Sequence, residues 1–230
     1  MHYLFLDESY PASTPNKKTI VMATWTVDQS RWRDSTARNL NLFNPPVLER
    51  ICAMLESLDT TAAVTTSTLD ESVFRAGIVD STNDIPEMKR PDTIWTICAA
   101  FAIATALFER LSQSQELETV DIHFDPKSLK PAHFESTKQA LRHQIVGVAR
   151  EFPSKFDLRK LKIRRIESVP KPKNKETPNK FQMGTWVADK LCGDYKETKA
   201  LTCSRILTRD LSEPVRRTTQ QFDGKSYYAN

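Results

Sequence analysis

The sequence predicts an α/β fold: a mixed sheet with helices on its faces. Two observations carry this. "YLFLDES" (residues 3–9) and "TIVMATWTV" (residues 19–27) are apolar, β-branched and aromatic stretches joined across a Pro/Asn/Lys turn, the pattern of a hairpin. After them, strand-like and helix-like stretches alternate, which places helices on the faces of a partly parallel sheet. A third observation concerns chemistry. The first strand runs straight into two carboxylates, Asp7 and Glu8. Unpaired carboxylates are expensive to bury, so the chain has either emerged at the sheet's end or meets a cation there.

The elements follow in order. Pro45 opens a helix to Leu58, in which Val47, Leu48, Ile51, Met54, Leu55 and Leu58 recur at helical spacing. "AAVTTSTL" (62–69) is a candidate third strand. Residues 70–91 contain Gly77, Asn83, Asp84, Pro86 and Pro91 without a sustained period and read as irregular. Asp92 or Thr93 can cap the helix that runs to about Leu111. Its apolar run (93–108) is short for a membrane span and contains Thr93, Thr96 and Thr105, so it reads as a helix buried in a soluble core.

"TVDIHFD" (119–125) alternates as a strand. Pro131 opens a further helix, marked by Phe134, Ala140, Leu141, Ile145 and Val148. "LKIRRIESV" (161–169) is the fifth strand, "PKPKNKETPNK" (170–180) a Pro/Lys loop, and "FQMGTWVADKLCGDYKE" (181–197) the last helix. Beyond Lys199 the pattern offers only a short strand or helix around Leu201 to Leu207. Residues 1–199 are expected to form one domain, with 200–230 an extension that can pack on it.

A chain of 230 residues, 39% hydrophobic and 27% charged, is long enough for one substantial core. Its start lacks the basic head, apolar middle and small-residue cleavage site of a secretory signal. The four cysteines, Cys52, Cys98, Cys192 and Cys203, form no C-x-x-C pair. They are expected to be reduced structural thiols in a cytoplasmic protein, and a zinc site is not expected. The net charge of +4 is uneven: residues 1–90 hold nine Lys/Arg against twelve Asp/Glu, residues 155–180 ten against three. That basic block suits a polyanion. A solvated strand followed by a loop is the bland alternative.

Three acidic residues hold comparable places. Asp7 ends the first strand, Asp125 ends the "VDIHFD" strand just before Pro126, and Asp189 lies in the last helix among Val187, Ala188 and Leu191. If the two strands are parallel neighbours, Asp7 and Asp125 leave the sheet at one edge, and the last helix could bring Asp189 to them. Clustered carboxylates repel, and divalent cations resolve the repulsion. Oxygen-only ligands favour Mg²⁺ or Mn²⁺. Two such ions about 3.5–4 Å apart form the clamp used in phosphodiester hydrolysis. Taken singly, the three Asp could instead open a turn, cap a helix and line a wet helix face. Glu8 joins Asp7 only if the strand has turned, since adjacent strand residues point to opposite faces. His123 shares a strand face with Asp125, as a support for the site or as a packing residue.

The opening "YLFLDES" and the closing "WVADKLCG" resemble an uncharacterised family, a domain of unknown function within the ribonuclease-H-like superfamily. Its members open with a strand ending Asp-Glu-Ser-Gly and close with a helix reading Gln, two apolar residues, Asp. The resemblance implies a ribonuclease-H-like α/β fold, a mixed five-stranded sheet with helices on both faces. It also implies carboxylates on the first strand, the fourth strand and the last helix: Asp7, Asp125 and Asp189, with Glu8 as a further catalytic candidate. They would hold two Mg or Mn ions in a nuclease acting on RNA or DNA. Two positions depart from the pattern. Tyr10 replaces the Gly and Trp186 the Gln, although Gln182 can share the Asp189 helix face from seven residues away.

Phosphate contacts are expected from Arg164, Arg165, Lys171 and Lys173, the last two on a mobile Pro/Lys loop with Lys175. A binding module without turnover, serving nucleic acid or a protein, is the alternative. An aspartyl phosphatase ranks below both, because Ser9 stands where that chemistry uses a second Asp. No membrane partner is expected.

Overall fold

The computed structural model describes residues 1–11, 14–39, 45–75, 90–113, 119–125, 134–148, 161–170 and 177–222. Its strands are β1 (His2–Ser9), β2 (Lys17–Asp28), β3 (Ala62–Asp70), β4 (Thr119–Phe124), β5 (Lys162–Ser168) and β6 (Ile206–Asp210). Its helices are α1 (Asp34–Asn39), α2 (Val47–Ser57), α3 (Glu71–Arg75), α4 (Arg90–Gln113), α5 (Phe134–Val148), α6 (Lys180–Gly193), α7 (Tyr195–Ala200) and α8 (Ser212–Phe222).

The strands form one mixed sheet in the order β5-β4-β1-β2-β3-β6. β1 is antiparallel to β2, and β2 to β3. β1 is parallel to β4, β4 to β5, and β3 to β6. The expected α/β class, a mixed sheet with helices on its faces, is the class observed, with a sixth strand at the β3 edge. That strand begins at Ile206, six positions after α7 ends at Ala200, where the sequence shows only a weak pattern.

Strand alternation divides the interior into two cores. Leu4, Leu6, Ile20, Met22, Val120, Ile122 and Phe124 point to one face and pack under α4, α5 and Val215 of α8. α4 is buried from Ile94 through Leu107, and its run of alanines lets it lie close to the strands. Thr24 Oγ1 donates to the Ala102 carbonyl at 3.3 Å. No helix of the described residues is long and apolar enough to cross a membrane.

Tyr3, Phe5, Val21, Ala23, Trp25 and Val64 point to the other face, beneath α2 and α6. Two indoles fix α6 there. Trp25 Nε1 donates to the Gly184 carbonyl and Trp32 Nε1 to the Lys180 carbonyl, each at 2.9 Å. A capping box starts the helix. The Asn179 side chain accepts from the Phe181 and Gln182 amides, and the Gln182 side chain accepts from the Asn179 amide.

Several expectations are corrected. The last helix is two: α6 ends at Gly193, Asp194 leaves helical geometry with φ −93° and ψ 34°, and α7 restarts at Tyr195. The segment read as irregular begins with the short helix α3, and α1 and α8 were not anticipated. The cysteines are not all reduced. Cys52 and Cys203 form a disulfide with Cα atoms 6.3 Å apart, across 151 residues of sequence. It ties α2 to the segment leading into β6. Cys98 and Cys192 are free and buried.

Candidate functional site

The expected adjacency of the first and fourth strands is observed. Leu6 pairs with Phe124 in parallel register, so Asp7 and Asp125 are the next residues along two neighbouring strands. Their backbones lie about one strand spacing apart, roughly 4.8 Å. Asp7 belongs to the odd-numbered set of β1 that faces α6, with Tyr3 and Phe5, and Asp125 follows directly on the last residue of β4, two positions beyond His123 of that face. Both are buried, 1% and 5% exposed. Asp7 Oδ1 accepts the Glu8 amide at 2.8 Å.

Asp189 is carried by α6, which packs along β1, and is half-buried. Helical spacing places it on the flank of Gln182, seven residues earlier. Among the described residues, however, no three His, Cys, Asp or Glu side chains are grouped closely enough to hold an ion. Asp7, Asp125 and Asp189 therefore form no such group, and what the fold sets side by side is the backbone of Asp7 and Asp125.

Glu8 is still inside β1, opposite Met22, and β1 is regular through Ser9. Its side chain leaves on the face opposite to Asp7, so the turn needed to join the two does not occur. Gln182 has both amide atoms engaged. Oε1 accepts the Asn179 amide at 3.0 Å and Nε2 donates to the Pro170 carbonyl at 3.1 Å. It closes the helix start against the end of β5 rather than supporting Asp189.

His123 is an aromatic packing element. Its ring centroid lies 4.5 Å from Phe181, 5.4 Å from Tyr3 and 5.6 Å from Phe5. Burial pushes its imidazole down to about 4, against the opposing pull of Glu167, whose Oε2 lies 3.8 Å from Nδ1. The ring is neutral at pH 7.

The basic strand is built differently from expectation. A β-bulge between Val120 and Asp121 sets Ile163 opposite Val120 and Arg165 opposite Asp121. Arg164 is the extra residue, and the bulge turns it to the same face as Arg165. Arg164 Nε donates to Asp121 Oδ1 at 2.8 Å, a terminal guanidinium nitrogen reaches Oδ2, and Gln29 Nε2 reaches the same oxygen at 3.4 Å. Asp121 is 2% exposed, and these bonds hold the Arg164 guanidinium above its ordinary pKa. Arg164 is thus a clamp between β4 and β5, four residues short of the Asp125 edge. Arg165 is exposed, 3.6 Å from Glu167 Oε1. Lys171 and Lys173 lie outside the described residues.

Sequence reasoning missed Asp121. Its signal was available, because it alternates with His123 and Asp125 on the same strand face. Lys180 was also missed as an organiser. Its Nζ donates to the Tyr3 hydroxyl at 3.1 Å and stands 5.0 Å from the centroids of Tyr3 and Phe181.

No protein-family model and no curated protein matches the chain. Among solved structures, a mutant of Bst-RNase HIII is similar at 14% identity and TM-score 0.37, covering 85% of this chain, which spans only 53% of that one. The ribonuclease H2 from Pyrococcus horikoshii OT3 is similar at 11% identity and TM-score 0.40, over 95% of this chain and 84% of that one. RNase HII in a PCNA complex from Archaeoglobus fulgidus is similar at 12% identity and TM-score 0.36, over 100% of this chain and 96% of that one.

Proposed function

We propose that this chain is a divalent-metal-dependent nuclease hydrolysing phosphodiester bonds of RNA or DNA, with Asp7 and Asp125 as the central ligands. The observation supporting this reading is their placement: the ends of neighbouring parallel strands, one edge, both buried. Two ionised carboxylates that close together repel, and a cation between them relieves the repulsion. The donor chemistry fits. Mg²⁺ is commonly held by one or two carboxylates, with waters and substrate phosphate completing its shell.

Bound there, one or two ions would supply an activated water and stabilise the leaving oxygen. The chain's own contributions are positional. β1 and β4 set the carboxylate spacing, the Glu8 amide orients Asp7, and the indoles of Trp25 and Trp32 hold the helix that carries Asp189. Asp189 is proposed as a third ligand that joins when substrate and metal are bound.

Cleavage assays on RNA, DNA and hybrid with Mn²⁺ or EDTA test this reading. The wild type should cut at least one substrate with Mn²⁺. Asp7→Asn and Asp125→Asn should remain folded and cut none. A folded wild type that cleaves nothing would overturn the nuclease. The second reading, a module that binds nucleic acid without turnover, is favoured by one observation: the Gln182 amide bonds the Asn179 amide and the Pro170 carbonyl at the start of α6. Salt-sensitive binding without cleavage would identify it.

A further inference from the structure

A cavity of about 260 Å³ lies between α7 and the β3–β6 edge. Its sheet wall is two cross-strand pairs, Val64 with Thr208 and Thr66 with Asp210. Strand alternation sends these four side chains to one face of the sheet, the face of Val64 and α6. The helix wall is Tyr195 and Lys199, four residues apart and therefore on one side of α7. Arg209 pairs with Thr65 and alternates to the other face, so it borders the cavity with its backbone. Both walls are anchored. Thr198 Oγ1 donates to the Leu191 carbonyl at 3.1 Å and holds α7 against the end of α6. The Cys52–Cys203 disulfide holds the connection from α7 into β6.

The lining carries one charge of each sign. Lys199 and Asp210 are both exposed, and they form no ion pair with each other. Lys199 Nζ stands 5.9 Å from the Tyr195 ring centroid. Asp210 Oδ1 accepts the Ser212 amide at 2.9 Å and the Ser212 hydroxyl at 2.5 Å, at the start of α8. These bonds orient the carboxylate, and Oδ2 takes part in neither. Thr66, Thr208 and Tyr195 add three hydroxyls. A simple anion would be drawn to Lys199 and repelled by Asp210, and a simple cation the reverse. A small molecule with both charges escapes the conflict. Its carboxylate can accept from Lys199 while its ammonium donates to Asp210 Oδ2, both charge-assisted bonds. Hydroxyls donate and accept, so those of the lining can serve either end. Buried Val64 and the Tyr195 ring offer apolar surface to a short side chain. Drug-sized ligands occupy pockets of about 300–1,000 Å³, so this one suits a smaller molecule.

We propose that this cavity binds a free α-amino acid as its zwitterion, with Lys199 on the carboxylate and Asp210 on the ammonium. β2 stands between β3 and the strand that carries Asp7, and the assignment does not depend on the nuclease reading.

The test is saturation-transfer NMR of the full chain with each standard free amino acid at about 10 mM, enough to fill a site of roughly 1 mM dissociation constant. At least one should bind, and its titration gives the reference affinity. Lys199→Gln and Asp210→Asn should each weaken that amino acid roughly 10-fold or more, the usual effect of losing a hydrogen bond to a charged group. Asn keeps an acceptor for Ser212, and thermal melts check that both variants are folded. The carboxamide of the same amino acid lacks the carboxylate. It should bind wild type weakly and be indifferent to Lys199→Gln. The N-acetyl form lacks the ammonium and should be indifferent to Asp210→Asn. Absence of binding by every amino acid, or unchanged affinity in either variant, would overturn the proposal. An N-acetyl form that binds wild type as tightly as the free amino acid would make the cavity an anion site, and a carboxamide that does so would make it a cation site. Either result overturns the zwitterion assignment.

Discussion

Gly184 lies against the ring of Phe5 so closely that a Cβ there would overlap the ring's Cε1, Cδ1 and Cζ atoms. Phe5 cannot give way easily. It is fully buried, stacked on Trp25 at 4.9 Å and on His123 at 5.6 Å. The helix carrying Asp189 therefore reaches the strand carrying Asp7 only because residue 184 has no side chain. Gly184→Ala should destabilise the protein by about 1–3 kcal/mol, the usual cost of overpacking. It should also reduce any cleavage, by lifting α6 from β1. Gly193, at the exposed end of the same helix, has nothing within 4 Å of a built Cβ. Gly193→Ala should change stability by less than about 1 kcal/mol. Urea melts of the two variants check the contrast, and equal effects would refute the close-approach argument.

His123 gives the fold an acid-sensitive term. Its folded pKa, about 4, lies below the ordinary imidazole value of 6.5. The unfolded chain then binds more protons than the folded one across this window, so stability rises with pH. The contribution is fully present above pH 6.5 and is lost as pH falls toward 4, about 3 kcal/mol in all. The charged groups facing the ring are Glu167, Asp121, Lys180 and Arg165. His123→Phe keeps an aromatic ring among Tyr3, Phe5 and Phe181. The wild-type minus variant stability difference should change by about that amount between pH 7 and pH 4. A flat difference would show that the imidazole does not titrate as a buried group.

The Arg164 clamp makes a prediction opposite to the one its sequence context suggests. Arg164→Gln should lower the melting temperature, because it strips the buried Asp121 of its main partner. Asp121→Asn in the same chain should restore most of the loss. Nucleic-acid binding should keep its salt slope, since the guanidinium faces Asp121 and not a phosphate. A slope reduced by about one would return Arg164 to the nucleic-acid surface.

Closing a loop of 151 residues, the Cys52–Cys203 bridge should stabilise the fold by about 2–4 kcal/mol. Dithiothreitol should lower the wild-type melting temperature and leave Cys52→Ser/Cys203→Ser unchanged. Native protein should show no reactive thiol, because Cys98 and Cys192 are buried and burial pushes the Cys98 thiol up to about 12. Two thiols should appear on unfolding without reductant. Four would refute the bridge.

What the sequence made legible was local. β1 and β4 are short apolar runs ending in Asp, and the two-residue strand period alone assigns Asp7 and Asp125 to one face and Glu8 to the other. α4 announced itself by length and apolarity. What stayed hidden depended on distant partners. Nothing near Cys52 points to Cys203, and the Arg164–Asp121 pair exists because a bulge shifts the β4–β5 register by one residue, which no periodicity shows. Gln182 shares a helix face with Asp189 as expected, yet the cap at Asn179 and the Pro170 carbonyl take its amide. β6 is five residues with a mostly polar exposed half, and it is a strand because β3 offers it an edge.

The site's charge state yields a test that does not require turnover. Asp7 and Asp125 are buried one strand spacing apart. Asp7→Asn keeps the size and an acceptor for the Glu8 amide while removing one of two neighbouring charges. Without metal, its stability should equal or exceed that of the wild type, because the repulsion is relieved. With Mn²⁺ the order should reverse. A ligand that binds only the folded state stabilises it by mass action, about 2.7 kcal/mol at 100 times its dissociation constant. The wild type should gain in this way, and the variant should lose most of the gain. If Asp7 served only to shape the end of β1, its replacement would cost about 1 kcal/mol and Mn²⁺ would move neither protein. Thermal melts of both in EDTA and in Mn²⁺ separate these outcomes, and a wild type indifferent to Mn²⁺ would count against the metal site whatever the cleavage assays show.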